Sequence, residues 1–388
     1  MPTLQTVLPD AAKLGPRVAT VPLRSMDPVA ALSTQLGPGP FALVLLFVGA
    51  GADLPQLLNR ASAFFGQSAV AGCTTAGELG EDGYTDRSLV AVAFPTIGFA
   101  ARTVLIDPID AINSHNMIAQ LQEVRQDLWR RAEEMPQELA ILLVDGMSGC
   151  EESLVASLTG GLGPVRIVGG SAGDWRVFRQ THIFCGERLR SRTAAVLCLL
   201  RSRMAMRTFS FNSARPSRTQ MVVTRADPAK RAVLRINDEP AAREYARLLG
   251  CEVEELSPEM FATRPVMVRA GGRHFVRAIR GVGPDDALMF FGAVAEGMVL
   301  TLAEESDTVT HLDADLSGLA AQGTPRLVLG FDCIFRRMDA EVRQQTRAIS
   351  DLLAQHRVVG FSTYGEQTGG MHLNQTLTGV AFYDPLLT

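Results

Sequence analysis

Two glycine-rich segments near opposite ends of this chain finish in a glutamate at the same spacing. Gly72-Cys73-Thr74-Thr75-Ala76-Gly77-Glu78 and Gly360-Phe361-Ser362-Thr363-Tyr364-Gly365-Glu366 both read G-x-[S/T]-T-x-G-E. A carboxylate in that place has two uses. It can face a pocket and bind an amine or hydroxyl, or it can accept backbone N–H groups and hold a tight turn. The match continues without a gap, Ser88–Phe94 lying under Thr376–Phe382. One position differs in chemistry: Tyr84 of the first copy becomes His372 of the second, inside Gly369-Gly370-Met371-His372-Leu373-Asn374-Gln375-Thr376. On its residues alone, His372 is either a loop imidazole bonded to the glycine-rich turn or a functional group beside it. A turn used twice implies two related halves that share a pocket.

The elements that must position these turns follow from apolar patterning. Ala42–Val48 is a continuous apolar run, expected as a strand buried on both faces. A helix over Leu54–Phe65 and a strand over Ser68–Cys73 lead into the first turn, with further strands at Ser88–Phe94 and Phe99–Ile106. A long amphipathic helix is expected over Ile112–Glu134. The pattern then restarts at Leu139–Val144 and reaches Gly169-Gly170-Ser171-Ala172-Gly173-Asp174, a third and looser copy with Asp174 near the place of the two glutamates. A boundary is expected around Asn212–Ala229, which carries Pro216 and Pro228. Beyond it come several strands, a helix over 306–323, the strand Leu327–Phe331, a helix over Asp339–Gln355 and the closing strands. Strands outnumber helices and adjoin one another, so the expected class is α+β, with two pseudo-repeated lobes of mixed sheet flanked by helices. The expected divisions are an N-terminal arm over 1–30, one domain over 31–212 and another over 230–388.

Composition narrows the function classes. A chain of 388 residues, 47% apolar and 20% charged, packs as a globular protein of about two domains. A net charge of −4 argues against a large nucleic-acid surface. Only Lys13 and Lys230 are lysines, so positive charge is nearly all arginine, the better partner for planar anions. The six cysteines are scattered with no C-x-x-C pair, as in a reducing compartment. No basic segment followed by an apolar core opens the chain, and the run Phe41–Val48 is far shorter than a bilayer span. The expected setting is therefore cytoplasmic, away from membrane and nucleic acid.

Familiar catalytic motifs fail on context. Gly169-Gly170-Ser171-Ala172-Gly173 matches the G-x-S-x-G of a nucleophile elbow, but the aromatic, β-branched stretch after it does not begin the required helix. Gly49-Ala50-Gly51-Ala52 lacks the third glycine and the later acid of a dinucleotide fingerprint. No histidine pair has metal-ligand spacing. His115, His182, His274, His311 and His356 read as structural, which leaves His372.

The ordered set Gly72–Glu78, Val144-Asp145-Gly146-Met147-Ser148, Gly169–Asp174 and Gly360–Glu366 resembles the FIST sensory-domain family, in both its N-terminal and C-terminal parts. The resemblance covers about residues 30–385 and implies a small-ligand sensor in bacterial signal transduction. Gly365-Glu366-Gln367 followed by Gly370–Thr376 is most similar to a nitric-oxide-sensing haemoprotein subgroup, NosP. That similarity implies haem b, with His372 as axial iron ligand and nitric oxide as signal. It also implies two-component signalling through a partner histidine kinase or a cyclic-di-GMP enzyme. Glu78, Tyr364, Glu366, Met371 and Asn374 are the remaining expected ligand contacts. An enzyme using Cys73 or Ser171, for which the sequence places no base, is a further alternative, set behind a haem-free receptor for an amino acid or similar metabolite bound between Glu78 and Glu366. A homodimer is compatible with both sensor readings, and neither of them is an enzyme.

Overall fold

Apolar runs with no polar face become strands covered on both sides. Phe41–Val48, Gln137–Val144 and Leu327–Cys333 are such runs, and each leads a sheet. The computed structural model of the chain describes residues 11–304, 307–321 and 323–385. Within them one unit occurs three times: edge strand, helix, lead strand, helical segment, partner strand, hairpin, return strand.

In the first unit these are Arg17–Pro22, Pro28–Leu36, Phe41–Val48, Leu54–Phe65, Ala69–Thr74, the hairpin Glu78–Gly80/Gly83–Thr85, and Ser88–Pro95. In the second they are Phe99–Ile106, Ser114–Arg131, Gln137–Val144, Glu151–Leu162, Arg166–Ser171, the hairpin His182–Cys185/Arg188–Ser191, and Ala195–Ser202. The third has Ala205–Phe211, Thr308–Ala320, Leu327–Cys333, Ile334–Val342 with Thr346–Gln355, Val358–Thr363, the hairpin Glu366–Thr368/Met371–Leu373, and Leu377–Tyr383.

Partner strands run parallel to their lead strands, while return strands run antiparallel on the other side. The last places in each sheet are filled by the hairpin of another unit. The first unit's hairpin pairs Leu79 with Gly360 of the third, and the second's pairs Phe184 with Gly72 of the first. The third's pairs Gln367 with Gly169 of the second. The result is three six-stranded sheets of one order, linked by a cyclic exchange. The shared glycine of each partner strand is required by close approach. A Cβ at Gly72, Gly169 or Gly360 would lie 2.0, 1.8 or 1.8 Å from a lead-strand carbonyl oxygen.

All three units contribute to one apolar core, where Phe94, Phe99 and Phe382 meet edge to face and Phe47 lies 4.7 Å from Phe361. Between the third unit's edge strand and its first helix the chain inserts a fourth sheet, from Arg215–Asp227 to Val299–Glu304. That sheet packs a core around Tyr245, Phe261 and Phe290 that also takes in Ile334, Phe335 and Met338 of the third unit.

The α+β class with mixed sheets and flanking helices is what the structure has, and the two expected lobes resolve into three equal units plus the insertion. Residues 17–30 are not an arm. Arg17–Pro22 pairs along Ser88–Pro95, and Asp27 caps the helix Pro28–Leu36 with Pro28 in its first turn. Residues 1–10 of the expected arm lie outside the described residues. The boundary expected at 212–229 falls on the long strand that opens the inserted sheet. The helix expected over Asp339–Gln355 is two helices, separated where Gln344 turns left-handed at φ +57. Among the described residues no helix is long and apolar enough to cross a membrane.

Candidate functional site

The three glycine-rich turns meet, as a shared pocket requires, but they meet backbone to backbone. Ala76 N–H donates to Ser362 O at 2.9 Å and Ser362 N–H to Gly77 O at 2.7 Å. Gly173 N–H donates to Thr74 O at 3.0 Å, and Ser171 N–H to Gly365 O at 2.8 Å. A Cβ on Gly173 would lie 2.6 Å from the Ala76 nitrogen. Among the described residues the polypeptide itself fills this junction, and the expected ligand contacts Glu78 and Glu366 are both buried within it.

Both glutamates hold their own turns. Glu78 accepts from the Thr75 hydroxyl on one oxygen and from Ser88 N–H, at 3.0 Å, on the other. Glu366 accepts from the Thr363 hydroxyl on one oxygen, and from Thr376 N–H at 3.1 Å and its hydroxyl at 2.9 Å on the other. Burial pushes the Glu78 carboxyl up to about 7 and that of Glu366 up to about 8, against the pull of these donors. In the second unit Asp174 does similar work, accepting from Phe178, Arg179 and Gln180 N–H and from the Tyr364 hydroxyl. Tyr364 is thereby a strut between units, stacked on Phe178 with ring centroids 4.5 Å apart.

The polar chemistry gathers instead at one of the three hairpin seams. Each hairpin sets one residue over the shared glycine and a second beside it. Phe184 and Leu189 take these places over Gly72, and Leu79 and Tyr84 take them over Gly360. The first pair is apolar. In the second, the Tyr84 hydroxyl donates to Asp332, whose other oxygen accepts from Arg336 Nε at 2.6 Å. Over Gly169 stand Gln367 and His372. The fold therefore does not need polar residues at these places, yet this seam has two.

Around them five buried side-chain atoms have no partner among the described residues: His372 Nε2, Gln367 Oε1, Asn374 Nδ2, and Nε and Nη1 of Arg277. His372 is 3% exposed, its ring packed against Gly365. Burial holds the imidazole down at about 4, against the attraction of Glu152, so it is neutral. Gln367 Nε2 lies 3.3 Å from His372 Nδ1, 2.9 Å from Ser171 Oγ and 3.4 Å from Gly365 O. With the amide in that orientation Nδ1 accepts, which puts the ring proton on Nε2. Asn374 Oδ1 accepts from Ala278 N–H at 3.4 Å, tying the hairpin to the inserted sheet. Glu152, in the first turn of Glu151–Leu162, accepts from Ala293 N–H at 2.8 Å and from Arg231. Arg231 also donates to Gly149 O at 2.7 Å and to Glu151 at 2.9 Å. Among the described residues Arg277 Nε and Nη1 have no hydrogen-bond partner, and burial lowers the pKa of Arg277 against the attraction of Glu152.

Of the residues expected at the site, His372 and Asn374 come together here. Glu78, Glu366 and Tyr364 brace turns, and Met371 faces outward at 39% exposure. Gln367 carries a weak sequence signal, lying one hairpin register from His372. Glu152, Arg231 and Arg277 carry none, because only the fold brings a helix N-terminus and the inserted sheet to this hairpin.

Haem fits this place poorly. An imidazole binds iron through a nitrogen without a proton, whereas this hydrogen-bond pattern protonates Nε2. The neighbouring amides, Glu152 and the arginines are not the apolar walls a porphyrin face needs. Among the described residues, no group of three histidine, cysteine or acidic side chains is placed to hold a metal ion.

Comparison with known proteins decides the family. The FIST N domain matches residues 42–239 and the FIST C domain residues 241–368. The chain belongs to the FIST family. FIST domains are small-ligand sensing domains in signalling. The family boundary, at 239–241, falls inside the inserted sheet, so the two FIST domains of this protein share that sheet. A search of curated proteins found no match. Among solved structures, a chorismatase matches over 95% of this chain and 98% of its own at 11% identity. Its TM-score of 0.37 is too low to carry an argument.

Proposed function

We propose that this FIST protein is a non-catalytic sensor that recognises a small polar ligand, an amino acid or similar metabolite, at the seam of His372, Asn374 and Arg277. The carrying observation is that, among the described residues, five partnerless polar atoms gather at one seam of three, whereas the hairpin pair is apolar at another and its tyrosine hydroxyl is bonded to Asp332 at the third. A buried polar group without a partner costs about 1–3 kcal/mol, so a ligand that satisfies several gains that energy back on binding. Among the described residues the Ser171 hydroxyl accepts from the Gln367 amide and has no base beside it, and burial pushes the Cys73 thiol far up, which supports a binding role over a catalytic one. In this reading the protein acts in the cytoplasm and reports occupancy to a histidine kinase or a cyclic-di-GMP enzyme.

Native mass spectrometry of the freshly purified protein tests this. A small molecule retained by the wild type and lost from Asn374→Leu and His372→Ala is expected. Equal retention by both variants would move the site elsewhere.

The second reading is haem b on His372 with nitric oxide as the signal. It is supported by a neutral imidazole whose buried Nε2 has no partner among the described residues. It requires the Gln367 amide to turn so that Nδ1 carries the proton. Haem would supply the gas-binding iron, and His372 would hold it. A Soret band in protein made with ample haem, altered in His372→Ala, is its signature.

A further inference from the structure

Arg277 belongs to two neighbourhoods. On its inner side Nε and Nη1 are buried without partners, and the nearest carboxylate, Glu152, is already engaged by Arg231 and Ala293 N–H. On its outer side Arg277 lines a cavity of about 730 Å³ on the inserted sheet. Arg269 and His274 line the same cavity, while Val268, Met298 and Val299 give it apolar walls. No aspartate or glutamate borders it among the described residues. Four other cavities differ. Asp27 and Asp53 line one, Asp86 another, Glu138 and Asp384 a third, and Glu304 and Asp339 a fourth. A cavity of this volume suits a small organic molecule. Cationic groups on a wall that carries no acidic side chain among the described residues set the sign of its guest.

We propose that the cavity on the inserted sheet admits a small organic anion whose carboxylate or phosphate pairs with Arg277. The inference rests on the sensor reading and names the charge class of its ligand. Pairing with an anion supplies what Arg277 lacks, a charge-assisted hydrogen-bond partner in a partly buried place. The apolar walls favour an organic anion over an inorganic one.

Thermal unfolding with succinate, glutamate or glycerol 3-phosphate at about 10 mM, against sodium chloride of equal ionic strength, is the experiment. At least one anion is expected to raise Tm by roughly 2–4 °C, with putrescine giving no rise. A response to the carboxylates alone or to glycerol 3-phosphate alone tells which anion class the site takes. Arg277→Gln should abolish the rise without lowering the starting Tm, because it removes an unpaired buried charge. Val299→Glu, on the exposed rim, should weaken anion binding about tenfold or more by repulsion and guards against a misfolded Arg277 variant. No rise with any of the three anions, or an undiminished rise in either variant, overturns the proposal. A retained molecule without an acidic group, found by mass spectrometry, would sink the anion inference and leave the sensor reading standing.

Discussion

At the residue scale, the glutamates of the repeated motif show how burial sets charge. Glu366 has its carboxyl raised from an ordinary 4.5 to about 8, so near neutral pH the folded chain holds a proton there that the unfolded chain has lost. Its contribution to stability is therefore full below pH about 4.5 and fades as pH rises through about 8. His372 runs the other way, since the unfolded chain takes up the proton first as pH falls from about 6.5 to about 4. Urea denaturation at pH 5, 6.5 and 8 should show Glu366→Gln losing less stability with rising pH than the wild type. Parallel profiles would mean that the carboxylate is ionised in the fold. Both uses of these glutamates were readable from the motif, and choosing between them required the positions of Ser88 and Thr376 ten residues further on. The importance of His372 was visible from its glycine-rich setting. That of Arg277, in a strand far upstream, was not, because nothing local marks a side chain whose neighbours come from other units.

At the element scale, the repeated glycine works through space rather than through φ at two of its three occurrences. Gly72 and Gly169 have ordinary backbone angles, and the limit is the carbonyl of the adjacent strand. Gly169→Ala should cost more than about 4 kcal/mol or prevent soluble expression, because backbone rather than a flexible side chain stands in the way. Gly281→Ala, in a strand of the inserted sheet with open space around it, should change stability by less than about 1 kcal/mol. Chemical denaturation of the pair checks the contrast, and equal small effects would refute the close approach. The lead strands and most helices were legible because continuous apolar runs and helical spacing are local signals. The break at Gln344 was not, since a left-handed turn at a glutamine leaves no mark in composition.

At the scale of the whole molecule, sequence repetition gave two copies clearly and the third faintly, and the fold makes them equal. What stayed hidden was the exchange of hairpins, which depends on where a short pair of strands docks and not on what it contains. The two FIST domains are consequently not separable. Residues 42–239 alone lack both the strand Val358–Thr363 on which Glu78–Thr85 pairs and the hairpin that ends the second sheet. This fragment should aggregate or lack near-ultraviolet circular dichroism, while the full chain unfolds in one transition. A soluble fragment with native-like spectra would contradict the shared core. The same exchange constrains how the protein is made. The hairpin at Glu78–Thr85 leaves the ribosome about 280 residues before its docking strand, a delay of roughly 15–60 s at common translation rates. Throughout that interval an unpaired β-edge is open to neighbouring nascent chains, so growth temperature and chaperone supply should govern the yield of this protein more than the final stability of its fold.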